Sequence, residues 1–131
     1  MKKTILRNIL AVFLVFLVNG CRTEPIYQSA NIPISPRPGA TLEEVSEAIW
    51  YAGRRQGWRI EKIKPGQMRG IYKKRTHKAI VIINFDKSQF NIVYQNSENL
   101  KYDGSHIHVN YNLWIQKLEK KIQNEIGFRL P

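Results

Sequence analysis

The chain has 131 residues, a formal net charge of +11 and one cysteine. This length accommodates one folded domain of ordinary size and excludes two. A single cysteine excludes an intrachain disulfide, so a folded domain must depend on a hydrophobic core. The excess of Lys and Arg indicates a partner that carries negative charge.

The first twenty residues have the pattern of a signal peptide. Lys2, Lys3 and Arg7 form a cationic start, and an unbroken apolar run follows over 9–18. A helix that spans a bilayer needs about 20 apolar residues, whereas the apolar region of a signal peptide needs about 7–15. The short run predicts export and removal of residues 1–20, which leaves 111 residues with a formal charge of +8. The alternative is an uncleaved N-terminal anchor.

Residues 18–21 read Val-Asn-Gly-Cys, which resembles a bacterial lipobox. The resemblance implies cleavage before Cys21, attachment of a diacylglycerol to the Cys21 sulfur and acylation of the new amino group. A cysteine is needed because its thiolate is the nucleophile that takes up the lipid. Arg22 is not the Asp that retains such proteins at the inner membrane of a diderm bacterium. The expected location is therefore the outer membrane, with the domain facing the periplasm.

The segment that follows, residues 21–40, is predicted to be the lipidated cysteine and a proline-rich tether. Four prolines lie between Pro25 and Pro38, and prolines at this density disfavour both a helix and a central strand. An extended tether of this kind would hold the domain off the membrane, and the folded domain is expected over 41–131.

Two helices are predicted, one at each end of this domain. Thr41 and Glu44 fit a capping box, and apolar residues at helical spacing continue toward Gly57, which predicts a helix over 42–56. A second apolar stripe, which includes Tyr111 and Ile122, predicts a helix over about 109–126 that ends before Gly127.

Four strands are predicted between the helices, over 58–64, 68–74, 79–85 and about 90–95. The links between them are short, which favours antiparallel pairing of neighbours. The expected fold is α+β: a two-layer sandwich in which a four-stranded antiparallel meander carries both helices on one face, in the order α-β-β-β-β-α.

Basic residues are concentrated between 54 and 78, where Glu61 is the single acid. The clustered arginines favour an anion-binding patch, because guanidinium groups match phosphates and carboxylates in geometry. The alternative is a solvated rim that prevents pairing at the sheet edge. The candidate residues are Arg54, Arg55, Arg59, Lys62, Arg69, Lys73, Lys74 and Arg75.

Neither a metal site nor a catalytic site is predicted. His106 and His108 would point the same way on a strand, but a zinc site needs three or four ligands, and His77 is the only other histidine. The chain has no G-x-S-x-G elbow and no convincing carboxylate pair, so no catalytic residue and no cofactor are expected. A hydrolase or metal protein is the weaker alternative, and it would need a cleft that joins His77, His106 and an acid.

Six segments of the chain form an ordered set: Tyr51-Ala52-Gly53 before Gly57-Trp58; Lys64-Pro65-Gly66; His77-Lys78-Ala79-Ile80-Val81-Ile82; Phe90-Asn91-Ile92-Val93-Tyr94; Asn96-Ser97-Glu98-Asn99-Leu100-Lys101-Tyr102; and Ile107-His108-Val109-Asn110-Tyr111-Asn112-Leu113-Trp114. This set resembles a family of small proteobacterial lipoproteins of unassigned function, over about residues 41–126. The resemblance implies a lipoprotein with a single α+β domain and supplies no catalytic residues.

Together these patterns predict a nonenzymatic, membrane-anchored envelope protein whose basic domain binds an anionic envelope component. Export argues against nucleic acid and leaves anionic lipid, lipopolysaccharide, peptidoglycan or another envelope protein as partners. The alternative is a protein-interaction or assembly module that uses the open face or an edge of the sheet, because apolar residues lie on both faces of 79–85.

Overall fold

A computed structural model describes residues 22–131, so the predicted signal peptide and Cys21 lie outside the described residues. Two helices and seven strands follow one another along this part of the chain. In order they are β1 Thr23–Pro25, β2 Ser29–Pro33, α1 Leu42–Arg55, β3 Arg59–Lys64, β4 Gln67–Lys74, β5 His77–Phe85, β6 Gln89–Glu98, β7 His106–His108 and α2 Val109–Arg129.

The main sheet has five strands in the order β2-β6-β5-β4-β3, and every neighbouring pair is antiparallel. Strand β5 shows how the sheet is covered. Alternate residues from Ala79 to Phe85 are buried, whereas Ile80 and Ile82 between them are only partly buried. Since alternate side chains of a strand point to opposite faces, one face packs into the core and the other is open. The α+β class is confirmed.

The predicted four-stranded meander was wrong in its strand count. Strands β3 to β6 do form a meander, but β2 adds a fifth strand beside β6, and β1 pairs with β7 in a separate two-stranded sheet. Residues 23–33 therefore contain two strands in place of the predicted tether. Pro25 and Pro33 each end an edge strand, where a missing backbone N–H costs no ladder hydrogen bond, so the prolines exclude only a central position.

The N-terminal segment is fastened to the start of α2 by hydrogen bonds. The backbone N–H of Val109 donates to the carbonyl oxygen of Arg22 over 3.1 Å. The buried side chain of Asn112 accepts from the backbone N–H of Tyr27 at 2.8 Å and donates to the carbonyl oxygen of Pro25 at 3.0 Å. The chain is thus held against the domain from the first residue that the structure describes.

Both helices lie near their predicted positions. Thr41 caps α1 through the predicted capping box with Glu44, and the chain leaves the helix through Gly57, whose φ of +86° is in the region that favours glycine. Helix α2 passes Gly127 and continues to Arg129, so the predicted end was wrong. A glycine inside a helix costs only about 1 kcal/mol, and burial of Leu130 beyond it offsets this cost.

The hydrophobic core lies between the two helices and the covered face of the main sheet. Val45 and Ile49 of α1 and Ile115, Leu118 and Ile122 of α2 have no measurable exposure. They belong to the apolar stripes that predict the two helices, so that part of the sequence interpretation is confirmed.

The domain has two distinct ends along the axis of α2. At the α2 N-terminal end, the centres of the His77 and His108 rings lie 5.5 Å apart. The backbone N–H of His108 donates to the carbonyl oxygen of Leu100 over 2.8 Å. The β4–β5 turn, the turn at 99–101 and the start of α2 lie together at this end. At the α2 C-terminal end, the 86–88 turn contacts the segment after β2. The backbone N–H of Ile34 donates to the carbonyl oxygen of Ser88 over 2.9 Å.

Candidate anion-binding surface

The eight basic residues of the predicted patch do not share one surface. Arg54 and Arg55 are at the end of α1, while the others are on β3, β4 and the β4–β5 turn. Lys73 pairs with Lys78 and Lys74 pairs with His77 across the same hairpin. Because neighbouring strand residues point to opposite faces, Lys73 lies on the open face and Lys74 on the face covered by the helices.

Four of these eight residues form ion pairs, three of them with acids on β3 or α1. Lys62 Nζ lies 2.8 Å from a Glu43 carboxylate oxygen and 2.5 Å from one of Glu47. Arg59 lies 2.9 Å and Arg69 3.6 Å from Glu61. Acids outside the basic stretch, on the first turns of α1, thus neutralise part of the predicted patch, and only the fold brings them near it.

Arg55 and Arg54 have structural contacts at the end of α1. Arg55 reaches the buried Glu125 at 3.0 Å, and Arg129 reaches the other oxygen of that carboxylate at 2.6 Å. The guanidinium of Arg54 lies 4.9 Å from the centre of the Trp50 ring, a cation–π contact. These two arginines therefore join α1 to α2 and cover an aromatic ring.

A different set of basic residues forms a continuous surface. A depression of about 490 Å³ is lined by Gln56 and by Lys117, Lys120 and Lys121 of α2. A second one, of about 110 Å³, shares Gln56 and Lys117 with it and adds Lys74. A third, of about 170 Å³, shares Lys74 and adds Arg75, His77 and Asn110. We call the cationic side chains along these three depressions the basic surface: Lys74, Arg75, Lys117, Lys120 and Lys121.

Most of the charge on the basic surface is not neutralised. Within residues 22–131, Lys74, Arg75, Lys117 and Lys120 form no ion pair, and Lys121 approaches Glu125 only to 3.9 Å. Sequence reasoning found Lys74 and Arg75 but missed the three lysines of α2. Their spacing of three and four residues places them on one helix face, which was a usable signal, but their proximity to Lys74 is a tertiary feature.

A row of aromatic side chains lies beside these cations and lines the second depression. The ring centres of Trp58 and Tyr72 are 5.1 Å apart, those of Tyr72 and Trp114 are 4.8 Å apart, and those of Trp114 and His77 are 6.5 Å apart. Aromatic pairs at such distances attract one another beyond the effect of buried area. The row holds the β4 end and α2 in register, and so fixes the separation between Lys74 and Lys117.

The histidines and nearby acids have the contacts of a turn. Asp103 accepts from the backbone N–H groups of His106 at 2.7 Å and Ser105 at 2.9 Å, and these bonds lower the pKa of the Asp103 carboxyl. The Ser105 hydroxyl lies 2.8 Å from His106 Nδ1 and donates to Asp103 at 3.1 Å. In a serine hydrolase the acid orients the histidine, whereas here the acid contacts the serine. Over residues 22–131, no group of three His, Cys, Asp or Glu side chains is arranged to hold a metal ion.

A wide depression of about 420 Å³ lies between the start of α1 and the β3–β4 turn. It is mainly apolar and includes Leu42 and the exposed side chain of Ile63. Of its two cations, Lys62 is paired with Glu43 and Glu47, and Lys64 forms no ion pair within residues 22–131. The depression therefore offers one unpaired cation to a charged ligand, whereas the basic surface offers four.

The open face of the main sheet carries an apolar strip. Ile71 of β4 is paired with Ile80 of β5, and Ile82 of β5 is paired with Val93 of β6. Val93 is 47% exposed, and the three isoleucines are partly buried. The residues of 79–85 that point away from the core therefore leave apolar surface on the open face of the sheet.

No protein-family model, curated protein or solved structure matches this chain. Within residues 22–131, neither helix has the combination of length and apolar character needed to span a bilayer. The lipobox and the resemblance to small lipoproteins stay predictions.

Proposed function

We propose that this chain is a nonenzymatic, lipid-anchored protein of the bacterial envelope whose basic surface binds an anionic envelope component. The observation that carries the proposal is the group of unpaired cations from two distant parts of the sequence, Lys74 and Arg75 on one side and Lys117 and Lys120 on the other. The packed aromatic row joins β4 to α2 between Lys74 and Lys117, which favours a binding role over mere solubility.

The lipobox supports a membrane-bound location. Cys21 is the only cysteine of the chain, and it follows the apolar run at the position where a lipobox places it. A diacylglycerol with a third acyl chain would make attachment permanent, because each buried methylene contributes about 0.8 kcal/mol. The anionic groups within reach of an anchored domain are lipid phosphates, lipopolysaccharide phosphates and peptidoglycan carboxylates.

The experiment compares two charge reversals in the mature chain with Ser in place of Cys21, so that lipid does not contribute to binding. We expect Lys117→Glu/Lys120→Glu to weaken binding to peptidoglycan sacculi or to phosphatidylglycerol vesicles at least about tenfold, because each cation near an anionic surface contributes about 1 kcal/mol. The matched control is Lys64→Glu/Lys87→Glu, which makes the same charge change at exposed sites of the α2 C-terminal end. Equal losses in both variants would contradict a specific basic surface.

A second function, docking of another envelope protein, is favoured by the apolar strip on the open sheet face. Placement of a photo-crosslinking residue at Val93, which is 47% exposed, should give a discrete protein adduct in intact cells. We expect Ile82→Glu, next to it on β5, to abolish the adduct. The same probe at Lys87 is the control, and an adduct pattern shared by both positions would count against this function.

A further inference from the structure

The link between the proposed lipid and the folded domain is very short. Cys21 directly precedes Arg22, whose carbonyl oxygen accepts a 3.1 Å hydrogen bond from the backbone of Val109. Consecutive Cα atoms are about 3.8 Å apart. The next residues, Thr23–Pro25, pair with β7, so no slack chain lies between the cysteine and the domain. A lipid at Cys21 would bring the α2 N-terminal end of the domain to the membrane surface.

The same end carries a concentration of cations. Arg22, Lys73, Lys74, Arg75 and Lys101 lie on the segments that meet there, and within residues 22–131 none of them forms an ion pair. The His77 ring lies 5.5 Å from the His108 ring at the start of α2, and burial, assisted by His77 and Lys101, lowers the pKa of His108.

Charges at the opposite end balance in number, although Lys64 and Lys87 there form no ion pair within residues 22–131: the cations are Arg37, Lys62, Lys64 and Lys87, and the acids are Glu43, Glu44, Glu47 and Asp86. Lys62 is paired with Glu43 and Glu47, and Arg37 is paired with Glu44, all beside the start of α1. Electrostatic attraction to an anionic surface would therefore act on the end where the chain enters the domain. The position of the anchor and the distribution of charge are independent observations, and both indicate that the α2 N-terminal end faces the membrane.

Two exposed apolar side chains accompany the cations at this end. Leu113 in the first turns of α2 is 49% exposed, and Tyr102 is 37% exposed. Aliphatic and tyrosine side chains next to cations are the composition that suits the interface between headgroups and hydrocarbon.

We propose that the domain sits directly on the bilayer, with its α2 N-terminal end against anionic lipid headgroups and the axis of α2 directed away from the membrane. This inference rests on the proposed lipid anchor at Cys21. The anchor holds Arg22, Arg75 and Lys101 at the headgroups, and the high effective concentration makes weak contacts sufficient to fix one orientation. The apolar sheet face and the α2 C-terminal end then stay accessible to other components of the envelope.

The test uses the lipidated mature protein in vesicles of phosphatidylglycerol and phosphatidylethanolamine. Since the native cysteine carries lipid, the new thiol of Leu113→Cys or of Phe128→Cys takes a fluorescent label selectively. Both positions are exposed on α2, and fifteen residues separate them by about 22 Å along the helix axis. Lipids with a quencher on the headgroup should remove most of the emission from position 113 and leave most of it at position 128.

Three outcomes would overturn the orientation: equal quenching at the two positions, stronger quenching at position 128, or no quenching at either in protein that floats with the vesicles. Protein that does not float with them would overturn the lipid anchor, and the proposed function with it. Arg75→Glu/Lys101→Glu should lower quenching at position 113, whereas Lys64→Glu/Lys87→Glu should leave it unchanged. Loss of quenching in both double variants would also overturn the proposal, because the charges of one end would then have no special role.

Discussion

At the scale of single residues, the two glycines inside helices have opposite surroundings. A Cβ at Gly53 of α1 would lie 2.5 Å from Ile60 Cδ1 and Cγ1, so the absence of a side chain lets the helix approach β3 closely. A Cβ at Gly127 of α2 would meet nothing within 4 Å. The glycine of α1 is therefore required by packing, and that of α2 is not.

We expect Gly53→Ala to lower the free energy of unfolding by roughly 1–3 kcal/mol, because overpacking outweighs the gain in helix propensity. Gly127→Ala should raise it by roughly 0.5–1 kcal/mol. Urea denaturation of the two variants measures both effects. A stabilised Gly53→Ala protein would show that α1 and β3 are less closely packed than described.

His108 combines a capping role with an altered pKa. Its Nδ1 accepts a 3.0 Å hydrogen bond from the N–H of Asn110 at the start of α2, and protonation would remove that acceptor. Burial, assisted by His77 and Lys101, lowers the pKa of His108 below the ordinary value of 6.5. As the pH falls below about 6.5, the unfolded chain binds a proton that the folded domain does not bind, so stability decreases.

The expected result is a decrease in the free energy of unfolding between pH 7.5 and 5.5 that is larger in the parent than in His108→Asn. Asparagine keeps a side-chain acceptor at the cap but does not titrate. Urea denaturation across this pH range measures the difference between the two proteins. An identical pH dependence in both would mean that another group is responsible.

At the scale of secondary-structure elements, one buried side-chain amide joins the N-terminal segment to the start of α2. The Asn112 side chain bonds the backbone of both Tyr27 and Pro25, and it also donates to the Glu24 carboxylate at 3.2 Å. No other side chain of α2 holds β1 in this way among the described hydrogen bonds. Removal of this amide leaves backbone polar groups without partners.

We expect Asn112→Ala to cost about 1–3 kcal/mol of unfolding free energy and to speed amide exchange at Tyr27. Gln123→Ala is the control, since Gln123 makes a single exposed bond to Pro33 and its loss should cost less than about 0.5 kcal/mol. If Asn112→Ala costs no more than the control, the segment is held by other contacts.

The elements differ in how much of them the sequence reveals. The capping box at Thr41 and the stripe through Tyr111 and Ile122 are local patterns, and both predict a helix that is present. Strands β1 and β2 were missed because their prolines exclude a central strand but permit an edge, and only pairing with β7 and β6 decides between edge and tether.

The candidate site was harder to predict than the fold. The basic stretch correctly included Lys74 and Arg75, but charge counting along the chain could not show that Lys62 lies beside Glu47 or that Lys74 lies beside Lys117. Both juxtapositions come from packing of α1 and α2 on the sheet. Charge counting along the sequence therefore includes residues that the fold keeps apart from the basic surface, and it omits the lysines of α2 that belong to it.

At the scale of the whole molecule, charge and apolar surface are segregated. Unpaired cations are concentrated at the α2 N-terminal end and along the basic surface, acids and cations balance in number at the other end, and the open sheet face carries the apolar strip. A protein anchored through Cys21 would use these three regions for different contacts. Because Lys74 and Arg75 belong to both the membrane-facing end and the basic surface, the lysines of α2 and the apolar strip are the parts left for an anionic polymer and a protein partner.

The lipid at Cys21 is the central claim, and intact-mass and N-terminal peptide analysis of the membrane-fraction protein tests it most directly. We expect a mature chain that begins at Cys21 and carries the added mass of a diacylglyceryl group and one amide-linked fatty acid. Cys21→Ser should leave the precursor unprocessed. A mature chain with an unmodified cysteine, or one that begins elsewhere, would contradict the claim.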